Sequence, residues 1–255
     1  MNFATPEYGP VMGVVVPQAN TTVEPELQLL LRFAQDCTLL SARMHSRSPD
    51  ARQRLLDYFD QLGATLDQFD TAPLQVAGFA CTGSSYLVGH DKETASLRQL
   101  GTTRGYPVLS AALSIRHALE TLGVRRIALL SPYPAWLSKA GLAYWHAAGF
   151  SLTAVAGLPQ ELLDTRNIYT LRSAAISQVF DTLDVSGCEA VVLSGTGMPT
   201  LRAMAQRALP VPVLSSNLCL AWAMHACVDP ELKGAASLAT LLAADAPWRR
   251  AIGSA

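Results

Sequence analysis

Three segments of this 255-residue chain recur in the same order, and that duplication constrains the fold more than any other feature. Gly13-Val14-Val15-Val16-Pro17-Gln18 is matched about 115 residues later by Ile127-Ala128-Leu129-Leu130-Ser131-Pro132, each an apolar run that ends in a proline turn. Phe79-Ala80-Cys81-Thr82-Gly83 is matched by Leu193-Ser194-Gly195-Thr196-Gly197, and Pro107-Val108-Leu109-Ser110 by Pro212-Val213-Leu214-Ser215. Self-similarity at a nearly fixed separation means that one structural unit has been used twice. Two similar halves are therefore expected, packed about a pseudo-two-fold axis.

Within each half, short β-branched runs alternate with helical stretches, the pattern of βαβ units around a parallel sheet. Strands are predicted at 11–16, 38–42, 76–80, 108–109, 126–130, 152–155, 190–193 and 211–214. Helices are predicted at 24–34, 51–69, 92–100, 111–122, 135–148, 171–183, 200–208, 218–226 and 231–244. The expected fold is α/β: an N-terminal half (1–115) and a C-terminal half (116–225), each a largely parallel sheet flanked by helices, with the active site in the cleft between them. A helical segment, 226–255, completes it.

Composition removes several function classes. Half of the residues are apolar and 15% charged, yet no uninterrupted apolar run approaches the ~20 residues of a membrane-spanning helix. A net charge of −1 with no basic cluster argues against nucleic-acid partners. The N-terminus lacks a cationic segment followed by an apolar one, so a cytoplasmic, reducing setting without disulfides is expected. The five cysteines, Cys37, Cys81, Cys188, Cys219 and Cys227, form no C-x-x-C pair, and no metal site is predicted. The three lysines avoid the repeated turns, there is no phosphate-loop motif, and Gly195-Thr196-Gly197 lacks the third glycine of the dinucleotide fingerprint. Schiff-base, phosphoryl-transfer and nicotinamide chemistry thus lose their key residues.

In parallel sheets, ligands gather outside the carboxyl ends of the strands, where the repeated turns lie. Cys81 and Gly195 occupy equivalent positions there, so one wall of the cleft carries a thiol and the other nothing. The turn Cys81-Thr82-Gly83-Ser84-Ser85 is rich in hydroxyls, and its N–H groups are expected to curl around a carboxylate and to favour the Cys81 thiolate. The competing reading packs Cys81 as a small core side chain, as we read the other four cysteines. Asn20, Thr21 and Thr22 precede a helix and suit either a ligand or an N-cap. Tyr133 either points into the cleft or packs, and Asn167 lies in a polar loop where capping is the plain alternative. No histidine sits in a Ser-His or Cys-His sequence signature.

Several of these segments together resemble the aspartate/glutamate racemase superfamily, in its maleate cis-trans isomerase and arylmalonate decarboxylase branch. They are Val16-Pro17-x-x-Asn20-Thr21, Cys81-Thr82-Gly83-Ser84, Leu122-Gly123-Val124-Arg125-Arg126-Ile127-Ala128-Leu129 running to Tyr133, and Pro212-Val213-Leu214-Ser215-Ser216-Asn217. The resemblance covers about 13–224. It implies two pseudo-symmetric α/β halves and cofactor-independent chemistry on a small dicarboxylate, through an enediolate or aci-carboxylate held by hydrogen bonds. It places the first of the superfamily's two cysteines at Cys81 and the second at Gly195, which disfavours a two-base racemase. Carboxylate contacts would come from Asn20, Tyr133 and Asn167, with Thr82, Gly83, Gly195 and Thr196 lining the oxyanion side. The leading expectation is maleate-type isomerisation by thiolate addition and elimination. The alternatives are arylmalonate-type decarboxylation with Cys81 as proton donor, and a non-catalytic carboxylate-binding homologue. Neither the particular dicarboxylate nor the assembly follows from these segments, and a homo-oligomer is left open.

Overall fold

A computed structural model describes residues 7–32, 36–157 and 164–253. Eight strands form two four-stranded, wholly parallel sheets. The first contains β1 (Val11–Pro17), β2 (Thr38–Met44), β3 (Leu74–Phe79) and β4 (Val108–Ser110) in the order β2-β1-β3-β4. The second contains β5 (Arg126–Ser131), β6 (Ser151–Gly157), β7 (Ala190–Leu193) and β8 (Val213–Ser215) in the order β6-β5-β7-β8. The duplication extends to register: Phe79 pairs with Ser110, and Leu193 pairs with Ser215. Strands β1 and β7 are buried along their whole length, as apolar runs covered on both faces must be. Edge strand β6 alternates exposed and half-buried residues.

Around the first sheet lie α1 (Val23–Leu31), α2 (Ala51–Asp60), α3 (Leu62–Leu66), α4 (Thr82–Val88), α5 (His90–Arg104) and α6 (Ala111–Thr121). Around the second lie α7 (Ala135–Ala147), α8 (Ser173–Thr182), α9 (Thr200–Ala205) and α10 (Ser216–Val228), followed by α11 (Ala235–Leu242) and α12 (Pro247–Gly253). Ser110 and Ser215 play the same part in the two halves. Each closes its strand and accepts a backbone N–H, from Leu113 at 3.1 Å and Leu218 at 3.3 Å, to cap the next helix. Helix α10 is apolar on every side and buried from Ser216 to Ala226, which suits a helix wedged between lobes. It packs on α6, α1 and β3 of the first half.

The structure corrects several expected boundaries. The stretch 51–69 is not one helix: it breaks at Gln61 (φ −93°, ψ 7°), continues as α3, and ends in a 3₁₀ turn, Asp67–Phe69, before Asp70 at φ 46°. The C-terminal stretch 231–244 is a 3₁₀ turn, Pro230–Leu232, followed by α11, and α12 was not anticipated. The turn read as a loop at Cys81–Ser85 is the first turn of α4, because the strand feeds the helix through Ala80 and extended Cys81 (φ −148°, ψ 87°). The expected end of the first helix, at 34, lies outside the described residues.

Candidate active site

Cys81 occupies the N-cap position of α4, at the carboxyl end of β3, and is 4% exposed. Its Sγ lies 3.1 Å from Ser84 Oγ. Ser84 Oγ donates to the Leu55 carbonyl (2.7 Å), so with its own proton committed it accepts the Cys81 S–H. Burial pushes the Cys81 pKa up, and the Ser84 and Gly83 N–H groups only partly offset this. The expectation of a favoured thiolate is thereby corrected. Loss of water costs the anion more than these donors return, and the resting group is a thiol.

The hydroxyls that follow are bonded within the protein. Ser84 ties α4 to α2. Ser85 Oγ donates to buried Glu93 on α5 (2.5 Å), and the Tyr86 hydroxyl meets Ser194 of the opposite lobe and accepts from Trp145 Nε1 (2.9 Å). These groups fasten the helix that carries the thiol. Gly83 packs under Leu55 and Leu137. Thr82 alone of this run reaches the C-terminal half at a candidate site residue, with its Oγ1 2.5 Å from the Tyr133 hydroxyl.

Three phenols, Tyr58, Tyr133 and Tyr169, lie close enough to Cys81 to be disfavoured as anions by a thiolate there. Burial already raises all three, Tyr58 to about 12 and the others well above the ordinary phenol value. At neutral pH they are uncharged hydrogen-bond donors.

The opposite wall comes close to Cys81 through Thr196, whose Oγ1 donates to the Ala80 carbonyl at 2.8 Å. Gly195 has φ +149°, donates its N–H to Ser216 Oγ (2.9 Å), and has no room for a side chain: a Cβ would sit 2.9 Å from Pro132 Cδ. The thiol is not merely missing there; the backbone has been set in a glycine conformation and Pro132 fills the space.

Asn20 is fully buried at the start of α1. Its Oδ1 accepts from the Thr22 and Val23 N–H groups (2.8 and 3.3 Å), capping α1, while Nδ2 makes one long bond to Thr196 Oγ1 (3.4 Å). Asn167 lies exposed on a 3₁₀ turn, Thr165–Thr170, capped by Asp164 rather than by Asn167 itself. Two residues further on, the Tyr169 ring packs against Gly197. A cleft of about 500 Å³, lined by Thr21, Thr22, Tyr169, Arg172 and Pro199 among others, opens beside it. Buried Arg54 on α2 donates to Asp164 across the lobes at 2.5 Å.

Sequence reasoning missed Tyr58, Tyr169 and the pair Glu26–Asn217. Asn217 left a readable trace: by the Ser110/Ser215 match its counterpart is Ala112, a break in the repeat like that of Cys81 with Gly195. Among the described residues, no group of three or more His, Cys, Asp or Glu could hold a metal ion, and no helix is long and apolar enough to cross a membrane. All five cysteines are free thiols.

Two copies of one parallel-sheet lobe thus form a pseudo-symmetric α/β protein in which one strand end carries a thiol and its counterpart a glycine. The family profile of arylmalonate decarboxylase (Amdase) matches residues 12–241. The chain belongs to that family, and is an isomerase or a lyase. It is 29% identical to a maleate isomerase of Geobacillus stearothermophilus, over 80% of this chain and 86% of that one. A solved Nocardia farcinica maleate cis-trans isomerase, a cysteine-to-serine mutant with a covalently bound succinylcysteine intermediate, matches at TM-score 0.77 and 25% identity over 86% of this chain and 93% of that one. A crystal structure of arylmalonate decarboxylase matches in fold, at TM-score 0.70 and 18% identity over 90% of this chain and 97% of that one.

Proposed function

We propose that this protein isomerises a small cis-unsaturated dicarboxylate of the maleate type to its trans form, with Cys81 as its one reacting sulfur and without a cofactor. The observation that carries the reading is the placing of Cys81: a helix-capping thiol at a strand end, among neutral donors, facing a wall with no second thiol. The named relatives are maleate isomerases, and in one of them a succinylcysteine has formed in a protein already lacking one of its cysteines.

In this scheme the sulfur adds to one alkene carbon and the π pair moves into the neighbouring carboxylate, making an aci-carboxylate. The thiol proton must go somewhere. Ser84 is spent on the Leu55 carbonyl, and the phenols near Cys81 are already protonated. The proton therefore passes to the carboxylate oxygen that gains the charge. The former double bond, now single, rotates. Expulsion of sulfur then restores the alkene and returns the proton to Cys81. Neutral donors suit this intermediate because they stabilise charge that develops during reaction without pairing tightly with the resting diacid. Thr82, Tyr133, Asn20 Nδ2 and Thr196 are the candidates to hold the carboxylates, with the Gly83 and Gly195 backbone beside them. Asn167 could join only from its exposed rim.

The raised pKa of Cys81 favours a second reading. A thiol kept protonated is a ready proton donor to the enediolate left when a malonate loses CO₂. Proton NMR in deuterated buffer, with maleate and an arylmalonate offered separately, decides between them. Fumarate free of deuterium supports the first reading, and a monodeuterated arylacetate replaces it with the second. Turnover unchanged in Cys81→Ala rejects both.

A further inference from the structure

Away from the sulfur, two carboxylates are buried between the lobes without a charged hydrogen-bond partner: Glu93, held by Ser85 and Tyr144, and Glu26. Glu26, on α1, is 8% exposed and reaches across to the C-terminal half. Its Oε1 accepts from the Leu201 N–H (3.1 Å), and its Oε2 from Asn217 Nδ2 (2.8 Å) and Thr200 Oγ1 (3.3 Å). All three donors are neutral. Asn217, 1% exposed, spends the same Nδ2 on the Thr196 carbonyl (3.1 Å), while its Oδ1 is buried with no partner. Thr196 in turn donates to the Ala80 carbonyl, next to Cys81. Hydrogen bonds thus tie Glu26 to Asn217 and Asn217 to the Thr196 carbonyl, and the Thr196 hydroxyl ties that residue to the one before the thiol.

The unpartnered oxygen shows what the chain can do. The groups around the Glu26 carboxylate are placed as donors, and of them only the Thr200 hydroxyl, at 3.3 Å, can turn to accept from a protonated carboxyl. The nearby acceptor that has no partner at all is Asn217 Oδ1, and it reaches Glu26 if the amide turns over. That turn withdraws Nδ2 from the Thr196 carbonyl. We propose that Glu26 is a positioning residue for the second wall: ionised, it holds Asn217 with its N–H on Thr196; protonated, it reverses the amide and releases that wall.

Burial pushes Glu26 up to about 7, so both states are accessible near neutral pH. The other charged or titratable groups on the surrounding elements are engaged elsewhere or lie outward. Glu24 pairs with Arg43, His225 on α10 bonds the Leu31 carbonyl, Arg249 on α12 bonds the Met204 carbonyl, and Arg32 and Arg202 line the outer groove that Glu26 borders.

The consequence for activity rests on the isomerase reading, so the test has an arm that does not. In Glu26→Gln the amide imitates the protonated acid, donating to Asn217 Oδ1. In native protein kcat with maleate should fall as pH drops through about 7. Glu26→Gln should lack this limb and stay about tenfold low at pH 8, the scale of loss when a site wall is slightly misplaced. The substrate's own ionisation affects both proteins alike. A Glu26→Gln profile that is lowered but keeps the native limb would overturn the proposal. The second arm uses ¹⁵N-labelled native protein with no substrate, the Asn217 side-chain NH₂ signals being assigned by their loss in Asn217→Ser. They should shift with a midpoint near neutrality in native protein and stay fixed in Glu26→Gln. If they stay fixed in both, the amide does not turn and the inference fails, whether or not maleate is a substrate. If they shift while maleate is untouched, the positioning device stands and the substrate assignment falls.

Discussion

At the scale of single residues, Cys81 and Gly195 are matched positions with opposite properties, a buried thiol and a glycine with no room for a side chain. Only a thiolate is readily alkylated, and burial holds Cys81 as a thiol. Its modification by iodoacetamide should therefore be slow at neutral pH and still be accelerating above the ordinary thiol range, followed by mass spectrometry of the Cys81 peptide. Gly195→Cys should not restore a second acid. It forces a side chain onto φ +149° and into Pro132, and strained backbone of this kind costs about 1–3 kcal/mol before any clash. The expected result is a lower denaturation midpoint with no gain in racemase activity; a stable variant that exchanges α-protons would contradict it. Glu26 carries a stability sign of its own. Its pKa is higher folded than unfolded, so its contribution is complete below about 4.5 and is lost as pH rises through about 7. Native protein should thus lose stability relative to Glu26→Gln over that interval, by about 1.4 kcal/mol for each tenfold difference in proton affinity between the folded and unfolded chains, in urea melts at stepped pH.

At the scale of elements, the helix starts hold the site together. Ser216, the first residue of α10, is the acceptor for the buried Gly195 N–H. Ser216→Ala should cost about 1–3 kcal/mol, the penalty for an orphaned buried donor, whereas Ser215→Ala, a lost N-cap, should cost about 1 kcal/mol. Equal losses in chemical denaturation would show that Gly195 finds another partner. All eight strands were legible in the sequence because short apolar runs between turn residues have few other outcomes. Helices were less so. The first turn of α4 is buried from Thr82 to Tyr86, and α10 is apolar all round, so neither shows the two-faced pattern that marks a surface helix. Cys81 and Gly195 stood out because repetition made their difference visible. Tyr58, Tyr169 and Glu26 had no such foil, since their place beside the cleft comes from how α1, α2 and the 3₁₀ turn Thr165–Thr170 pack and not from spacing.

At the scale of the whole molecule, two lobes built alike are joined by many bonds that cross between them. Helix α10 follows the second sheet yet packs on the first, and Thr22–Gly197, Thr196–Ala80, Arg54–Asp164 and Glu26–Asn217 all cross between lobes. Unfolding should accordingly be one transition, with tryptophan fluorescence and far-ultraviolet circular dichroism coinciding in urea. Separated curves would mean that the lobes unfold independently. The glycine conformation at 195, with Pro132 pressed against it, has a stereochemical corollary: with a thiol on one lobe and no room for a side chain at the matching place on the other, the pair is handed. Any hydrogen that Cys81 places on a flat carbon arrives from a single direction, so a malonate with two interchangeable carboxylates would emerge as one enantiomer, opposite to that from an enzyme whose sulfur stands on the other lobe.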